Sequence, residues 1–356
     1  MDNLTHSLVG YTLARAGAGR KTPAPVLTLV LASNIPDLDI VTAFTGGPVS
    51  YLDAHRGFTH GPVGCLALAA LTACAVVAGA VWRGRRRGQP LPRPGLVLAR
   101  TFGLAVLGAA LHALMDLPTS YGTRVLSPFV DTWYALDWMP IIDVYLWAVL
   151  AGGIIVMFVR PAAARQVATG VLALMLADYA GRALLHASAL RAAATRTAEG
   201  DTAPCAASPI LVRHPTLIEA AVAGPGSCIQ AAALPTFLSP FTWRAIRQYP
   251  NGYELSERAL RRQTAPHPRA WIPSESGPLI ARARATPTAR VFLAFSRFPA
   301  ARVVQTGPDL SVVRFVDVRF LGNPLAWDQD ARARSPFVVT VALGTGGEIV
   351  EERLGN

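Results

Sequence analysis

Residues 61–82 pass without one charged side chain. A run of that length matches the roughly 20 residues a helix needs to cross the hydrocarbon core of a bilayer. A soluble helix of the same length would carry a polar face. Three further runs have the same character. Residues 95–115 are interrupted only by Arg100 and His112, and 139–159 only by Asp143, whereas 166–190 contain Asp178, Arg182 and His186. Composition agrees: 15% of residues are charged, against about 25% in soluble domains. Disorder, a collagen-like chain and a disulfide-rich miniprotein are all excluded.

Two shorter apolar runs, 8–18 and 23–35, precede the long ones and meet at Arg20, Lys21 and Pro23. Each is too short to span comfortably and reads as one arm of a helical hairpin. The N-terminus opens on Asp2 and His6 rather than a basic region, so no cleavable signal peptide is expected. The expected fold class is therefore a mainly α, membrane-embedded helical bundle over residues 1–195, with about four long spans plus a short N-terminal helical hairpin. A β-rich soluble domain over 196–356 follows it.

The net charge of +11 does not point to nucleic acid. Lys21 is the single lysine, and the densest basic run, Arg83, Arg85, Arg86, Arg87 and Arg93, fills a short loop between two spans. Such loops stay in the cytoplasm. Alternating the spans from there places the C-terminal domain outside the cell and makes membrane lipids, not nucleic acid, the expected partners. In that domain, residues 291–295, 312–320 and 337–343 read as strands from their β-branched and aromatic content, and 254–262 reads as a helix. Cys205 and Cys228 are either bridged, worth about 3 kcal/mol for such a loop, or free thiols. His214 and His267 have no evident partners in sequence and receive no role.

The polar residues that do not belong in lipid form a pattern. His6 opens the hairpin, Asp37 and Asp39 close it after Pro36, and His55 and His60 flank the turn before the first long span. His112 and Asp116 end the second span, and Asp143 begins the third. With the arginine-rich loop inside, all eight fall on the outer face. Imidazole and carboxylate suit one or two divalent ions, zinc first, manganese or iron next. Asp37 and Asp39 are spaced so that one carboxylate can bridge two ions, while His112 and Asp116 share a helix face at i,i+4. His55 or Asp143 alternatively serves as general base or orienter. Arg56 and Arg124 are candidate phosphate clamps, or else side chains that snorkel to the interface.

The segments Met1-Asp-Asn-Leu-Thr-His6, Pro36-Asp-Leu-Asp39, His55-Arg-Gly-Phe-Thr-His60, His112-Ala-Leu-Met-Asp116, Ser120-Tyr-Gly-Thr-Arg-Val-Leu-Ser-Pro128 and Ile141-Ile-Asp143 resemble the YdjM-like family of bacterial inner-membrane, metal-dependent hydrolases. The resemblance covers about residues 1–190. It implies a metal site built from His6, Asp37, Asp39, His55, His60, His112, Asp116 and Asp143. Two positions depart from the family pattern: Gly61 stands where serine is usual and Val144 where proline is usual. A helical His-x3-Asp beside an N-terminal polar group is also similar to the sites of zinc-dependent phospholipases C, which implies a phosphoester substrate, and a lipid or lipid-linked one at this boundary. The expected activity is membrane-bound, metal-dependent hydrolysis with His55, Asp143 and Arg56 at the reacting centre. The alternatives are an ion-coupled transporter and a membrane anchor that presents the C-terminal domain.

Overall fold

The computed structural model describes residues 1–195, 205–207, 228–260, 269–305, 310–322 and 337–355. A helical, apolar N-terminal region precedes a C-terminal domain rich in β-sheet. Packing divides the chain into two units: Met1–Ile40 with His55–Leu184, and Val41–Ala54 with Leu185–Asn356.

In the first unit, α1 (Asn3–Ala16) begins where Asp2 caps it, its carboxylate accepting from the Thr5 amide at 2.9 Å. Helix α2 (Pro25–Ala32) starts on a proline, whose missing amide costs nothing at a first helical position. These are the two arms of the expected hairpin. A 3-10 turn, Ile35–Ile40, then carries Asp37 and Asp39. The long helices follow as α4 (Pro62–Arg86), α5 (Pro94–Asp116), α6 (Val144–Val159) and α7 (Ala164–Ala194), with α3 (Val41–Ala54) belonging to the other unit.

Among the described residues, three helices are long and apolar enough to cross a bilayer: Pro62–Arg86, Pro94–Asp116 and Pro161–Ala194. The bent pair Pro25–Ala32 and Ile35–Ala54, at 46°, would make a fourth. The run at 139–159 is shorter as a helix than as an apolar stretch. Asp143 caps α6 through the amides of Tyr145 and Leu146, so the 16-residue helix starts only at Val144. Buried Ala32, Ala69 and Ala105 form a seam of small side chains on α2, α4 and α5 that lets the backbones close up. Beside it, Met1, Val9, Met115, Met139, Leu146, Leu150, Val171 and Met175 form an apolar core.

Among the described residues, the second unit shows two antiparallel four-stranded sheets. The first runs β1 (Gln230–Pro235), β2 (Thr242–Tyr249), β3 (Gly252–Ala259), β4 (Arg269–Pro273). The second runs β5 (Pro299–Gln305), β6 (Leu310–Asp317), β7 (Val338–Gly344), β8 (Ile349–Leu354). Ala232, Leu234, Ile246, Tyr253, Leu255 and Ile272 of the first sheet share a buried core with Phe298, Ala300, Val316 and Val338. The alternate face of β1 and β2 packs on the last turns of α7. Cys205 and Cys228 are disulfide-bonded.

Two sequence expectations in this unit fail. Residues 291–295 are helical, inside α9 (Pro287–Phe295), which follows α8 (Pro278–Arg284). Thr286 caps α9, Pro287 opens it, and Thr288, Ala289, Phe292 and Phe295 recur at helical spacing on its buried side. Residues 254–259 lie in strand β3, while 261 and 262 fall outside the described residues. The Pro250-Asn251 turn joins Tyr249 to Gly252 as a tight hairpin, and strand pairing overrides the helical preference of Glu254, Leu255 and Ala259. The strands expected at 312–320 and 337–343 are present, the former ending at Asp317 before a 3-10 turn.

Candidate metal centre

Four elements of the first unit bring the site together. His6 comes from α1, Asp37 and Asp39 from the 3-10 turn after α2, His60 from the 3-10 turn before α4, and His112 and Asp116 from the last turns of α5. The loop 117–143 closes against the 55–60 turn through the Arg124 amide, which donates to the Arg56 carbonyl at 2.9 Å. Two glycines permit the approach: the Ser127 carbonyl fills the place a Cβ on Gly61 would take, and the Phe58 carbonyl does the same at Gly64. The serine usual at position 61 in the resembled family would meet that carbonyl.

Asp37, His60, His112 and Asp116 form one group able to hold an ion. His112 Nδ1 lies 2.7 Å from the Ser33 carbonyl, which only accepts, so Nδ1 carries the proton and Nε2 carries the lone pair. His60 Nδ1 lies 3.0 Å from Thr59 Oγ1, and that hydroxyl donates to Asp39 at 3.2 Å. This chain leaves the His60 Nε2 lone pair facing inward as well. The two Nε2 atoms stand 3.1 Å apart. Asp116 Oδ2 is 3.3 Å from His60 Nε2 and 3.4 Å from His112 Nε2, and Asp37 Oδ1 is 3.5 Å and 3.4 Å from the same atoms. Two facing lone pairs repel unless a cation lies between them. Ligands held about 2.0–2.1 Å from a tetrahedral ion sit about 3.3 Å from one another, which these separations match. Asp116 Oδ2 and both ring nitrogens of His6 are buried and have no hydrogen-bond partner among the described residues. A carboxylate oxygen in that condition points to an ion.

The charges around Asp116 explain its position. Its Oδ1 meets the Met1 amino group, Arg56 Nη2 at 3.1 Å and His6 Nε2 at 3.4 Å. His6 stacks on His112 with centroids 3.9 Å apart. Burial, opposed by the Asp37 hydrogen bond, pushes the His60 imidazole down to about 3. His60 is therefore neutral throughout the physiological range, the form that ligates metal.

Asp37, Asp39 and His55 form a second group, sharing Asp37 with the first. Asp39 is committed elsewhere on both oxygens: Oδ1 to His55 Nδ1 at 3.0 Å, Oδ2 to the Arg56 amide at 3.0 Å and the Thr59 hydroxyl. It orients His55 more than it offers a ligand. Asp37 is the more open carboxylate, its side chain 16% exposed.

The structure does not bring Asp143 into either group. Its side chain is buried, caps α6 and pairs with Arg182. Nor is Arg56 at the surface: it is buried, bonded to Asp116, to Thr119 Oγ1 at 3.0 Å and to the Gly122 carbonyl at 3.3 Å, and lies over the Tyr121 ring. Its guanidinium holds Asp116 in place. Arg124 pairs with Asp131 at 2.8 Å and covers Trp133. Sequence reading missed the Ser33 carbonyl and Thr59, which fix the two histidine tautomers. Thr59 had a local signal, a hydroxyl beside a candidate ligand, but a backbone carbonyl 79 residues from His112 has none.

Residues 1–189 match the family model described as YdjM inner membrane protein. Over 154 residues the chain is 27% identical to a Bacillus subtilis (strain 168) protein described as "Uncharacterized protein YfhP", covering 41% of this chain and 43% of that protein. The chain thus spans less than half the length of this curated relative. No solved structure matches.

Proposed function

The chain belongs to the YdjM inner membrane protein family, and from that premise we propose that it is a multi-pass plasma-membrane hydrolase. It acts on an ester or phosphoester at the extracytoplasmic face, a lipid or lipid-linked phosphoester being favoured. The observation that carries this reading is the convergence of two Nε2 lone pairs, 3.1 Å apart, with carboxylate oxygens of Asp37 and Asp116. These four residues would hold a divalent ion, zinc by donor set, with manganese or iron as alternatives. A bound ion supplies Lewis acidity at an ester or phosphoryl oxygen near neutral pH.

The chain's own residues supply the rest. Asp39 holds His55 through Nδ1, which leaves Nε2 as the proton acceptor of a general base. The exposed edge of Asp37 marks where substrate reaches the group. Arg56 and the Ser33 carbonyl act as positioning partners. Outward placement of the C-terminal domain is supported by the Cys205–Cys228 disulfide, since such bonds persist in oxidising compartments, and by the arginine loop after α4.

Elemental analysis of detergent-purified wild type beside His60→Ala and His112→Ala tests the ligand set. About one tightly held transition-metal ion per chain is expected in wild type and far less in either variant. A panel of lipid phosphoesters and simple esters then tests turnover. Wild type that retains no ion after metal supplementation overturns the metal centre. Metal retention without hydrolysis of any ester overturns the activity alone.

A further inference from the structure

We propose that Arg20 and Arg165, together with Lys21 and Arg100, bind the phosphate of an anionic phospholipid at the end of the helical bundle remote from the metal centre. Helix α1 leaves that centre at His6 and ends about 15 Å farther on at Ala16, where Gly17 caps it at φ 117°. Arg165, at the start of α7, donates from Nε to the Ala16 carbonyl at 3.2 Å. A methyl on Gly17 would meet Arg20 Nε at 3.2 Å and Arg165 Nε at 3.6 Å. Two guanidiniums from distant parts of the sequence therefore crowd one glycine. The same turn packs on α5, since a methyl on Gly19 would overlap the Leu104 side chain. Arg100 stands one turn before Leu104, on the same face of α5.

The C-terminal carbonyls of α1 attract one cation, and Arg165 supplies it. Arg20, Lys21 and Arg100 are then in excess. All four side chains are exposed, and among the described residues none is paired with a carboxylate. Asp178, the acidic residue of α7, stands about 20 Å along that helix from Arg165. The cations also lie deep. Helix α5 runs about 15 Å from Pro94 before it reaches Leu104, so the turn closes well inside the length of an apolar span. Charges at such a level need a polar partner, and like charges repel more strongly there than in water. A phosphate between Arg20 and Arg165 answers both conditions by accepting from the two N–H forks. Apolar surface adjoins the cations. Ile155, Phe158 and Val159, at the end of α6, are 63%, 71% and 74% exposed, and Phe158 stacks near Tyr11 of α1 at 6.3 Å. Acyl chains fit that surface. The ammonium of a zwitterionic headgroup would meet four cations and no anion, so the lipid is anionic. The site is independent of the metal centre.

The test is native mass spectrometry of the full-length protein, delipidated in a nonionic detergent. Dioleoyl phosphatidylglycerol, dioleoyl phosphatidylcholine or inorganic phosphate is then added. Wild type should retain one phosphatidylglycerol per chain at a concentration several-fold below that needed for phosphatidylcholine, and excess inorganic phosphate should not displace it. Arg20→Gln with Arg165→Gln should abolish the preference. Arg85→Gln with Arg87→Gln, which removes the same charge from the loop after α4, should keep it. Arg20→Gln alone leaves Arg165 on the Ala16 carbonyl and should still lose most of the preference, which covers failure of the double variant to fold. Equal retention of the two lipids by wild type overturns the proposal. So does a preference that survives loss of Arg20 and Arg165, or one that falls equally in both double variants and so marks diffuse surface charge. Displacement of phosphatidylglycerol by inorganic phosphate overturns a lipid as the occupant.

Discussion

Asp116 is where most charge meets in the first unit. One oxygen faces the Met1 amine, Arg56 and His6, and the other faces His60 and His112. Asp116→Asn keeps the shape but removes the charge that balances those cations, and metal content should fall to the level of His60→Ala, read by elemental analysis. Arg56→Gln tests a subtler role. Loss of a partner that orients a ligand typically costs 10–100-fold in metal affinity, so competition with a chromogenic chelator should show a weakening of about that size with the ion still bound at saturation. A phosphate-clamp role would instead leave metal affinity unchanged and raise KM. His60 has a second consequence. Its folded-state value, about 3, lies below the ordinary histidine range, so the unfolded chain takes up the proton first. The stability that neutral His60 contributes is complete above about pH 6.5 and is lost as pH falls from there toward 3.

At the scale of elements, the close backbone contacts around the 55–60 turn do the positioning. A methyl on Gly64 would displace the Phe58 carbonyl, and with it the turn that carries His60. Gly64→Ala should therefore lower metal content although no ligand changes, while Gly79→Ala, with open space at the corresponding point of α4, should not. Asp317 provides a parallel case in the C-terminal sheet. Burial alone would raise its carboxyl, but the charge and hydrogen bonds of Arg319 outweigh burial and hold it below the usual carboxylate range. A carboxyl depressed in the folded state stabilises above its unfolded value, about 3.9, and that contribution is lost as pH falls below it. Amide-exchange protection of β6 should be flat above about pH 5 and decline below about pH 4. Asp317→Asn, which leaves buried Arg319 without its charge partner, should cost about 3–5 kcal/mol at neutral pH and flatten that decline.

For the whole molecule, the metal ligands and the disulfide belong to different packing units. Opening Cys205–Cys228 with a phosphine reductant should leave metal content unchanged, and Asp37→Ala should strip metal while the disulfide persists on a non-reducing gel. Coupled loss in either experiment would mean that the units do not fold independently. Val41–Ala54 also shows how the chain is organised. It lies in sequence between Asp39 and His55, yet it packs with α9 of the C-terminal unit. The division expected near residue 195 follows the order of the sequence, whereas the packing follows contacts that this excursion makes far along the chain.

The long uncharged runs, the hairpin before them and the residues with metal-ligating chemistry were all legible from the sequence, because lipid tolerates few charges and each retained one stands out. Strand β7 was equally plain, from the alternation of Val339, Val341 and Leu343. Other features depended on contacts that spacing does not record. Residues 291–295 are helical because their buried side chains face a sheet contributed from elsewhere in the chain, and Glu254 lies in a strand because a two-residue turn pairs it with β2. At the candidate centre, Asp143 has the same residue type and the same span-end position as Asp116, and only the third dimension separates them. Asp143 meets Arg182 from α7, while Asp116 meets two imidazoles whose Nδ1 protons are already donated to the Ser33 carbonyl and the Thr59 hydroxyl. Residue chemistry is carried by the sequence, but which lone pairs face one another is set by helices packing across the bundle.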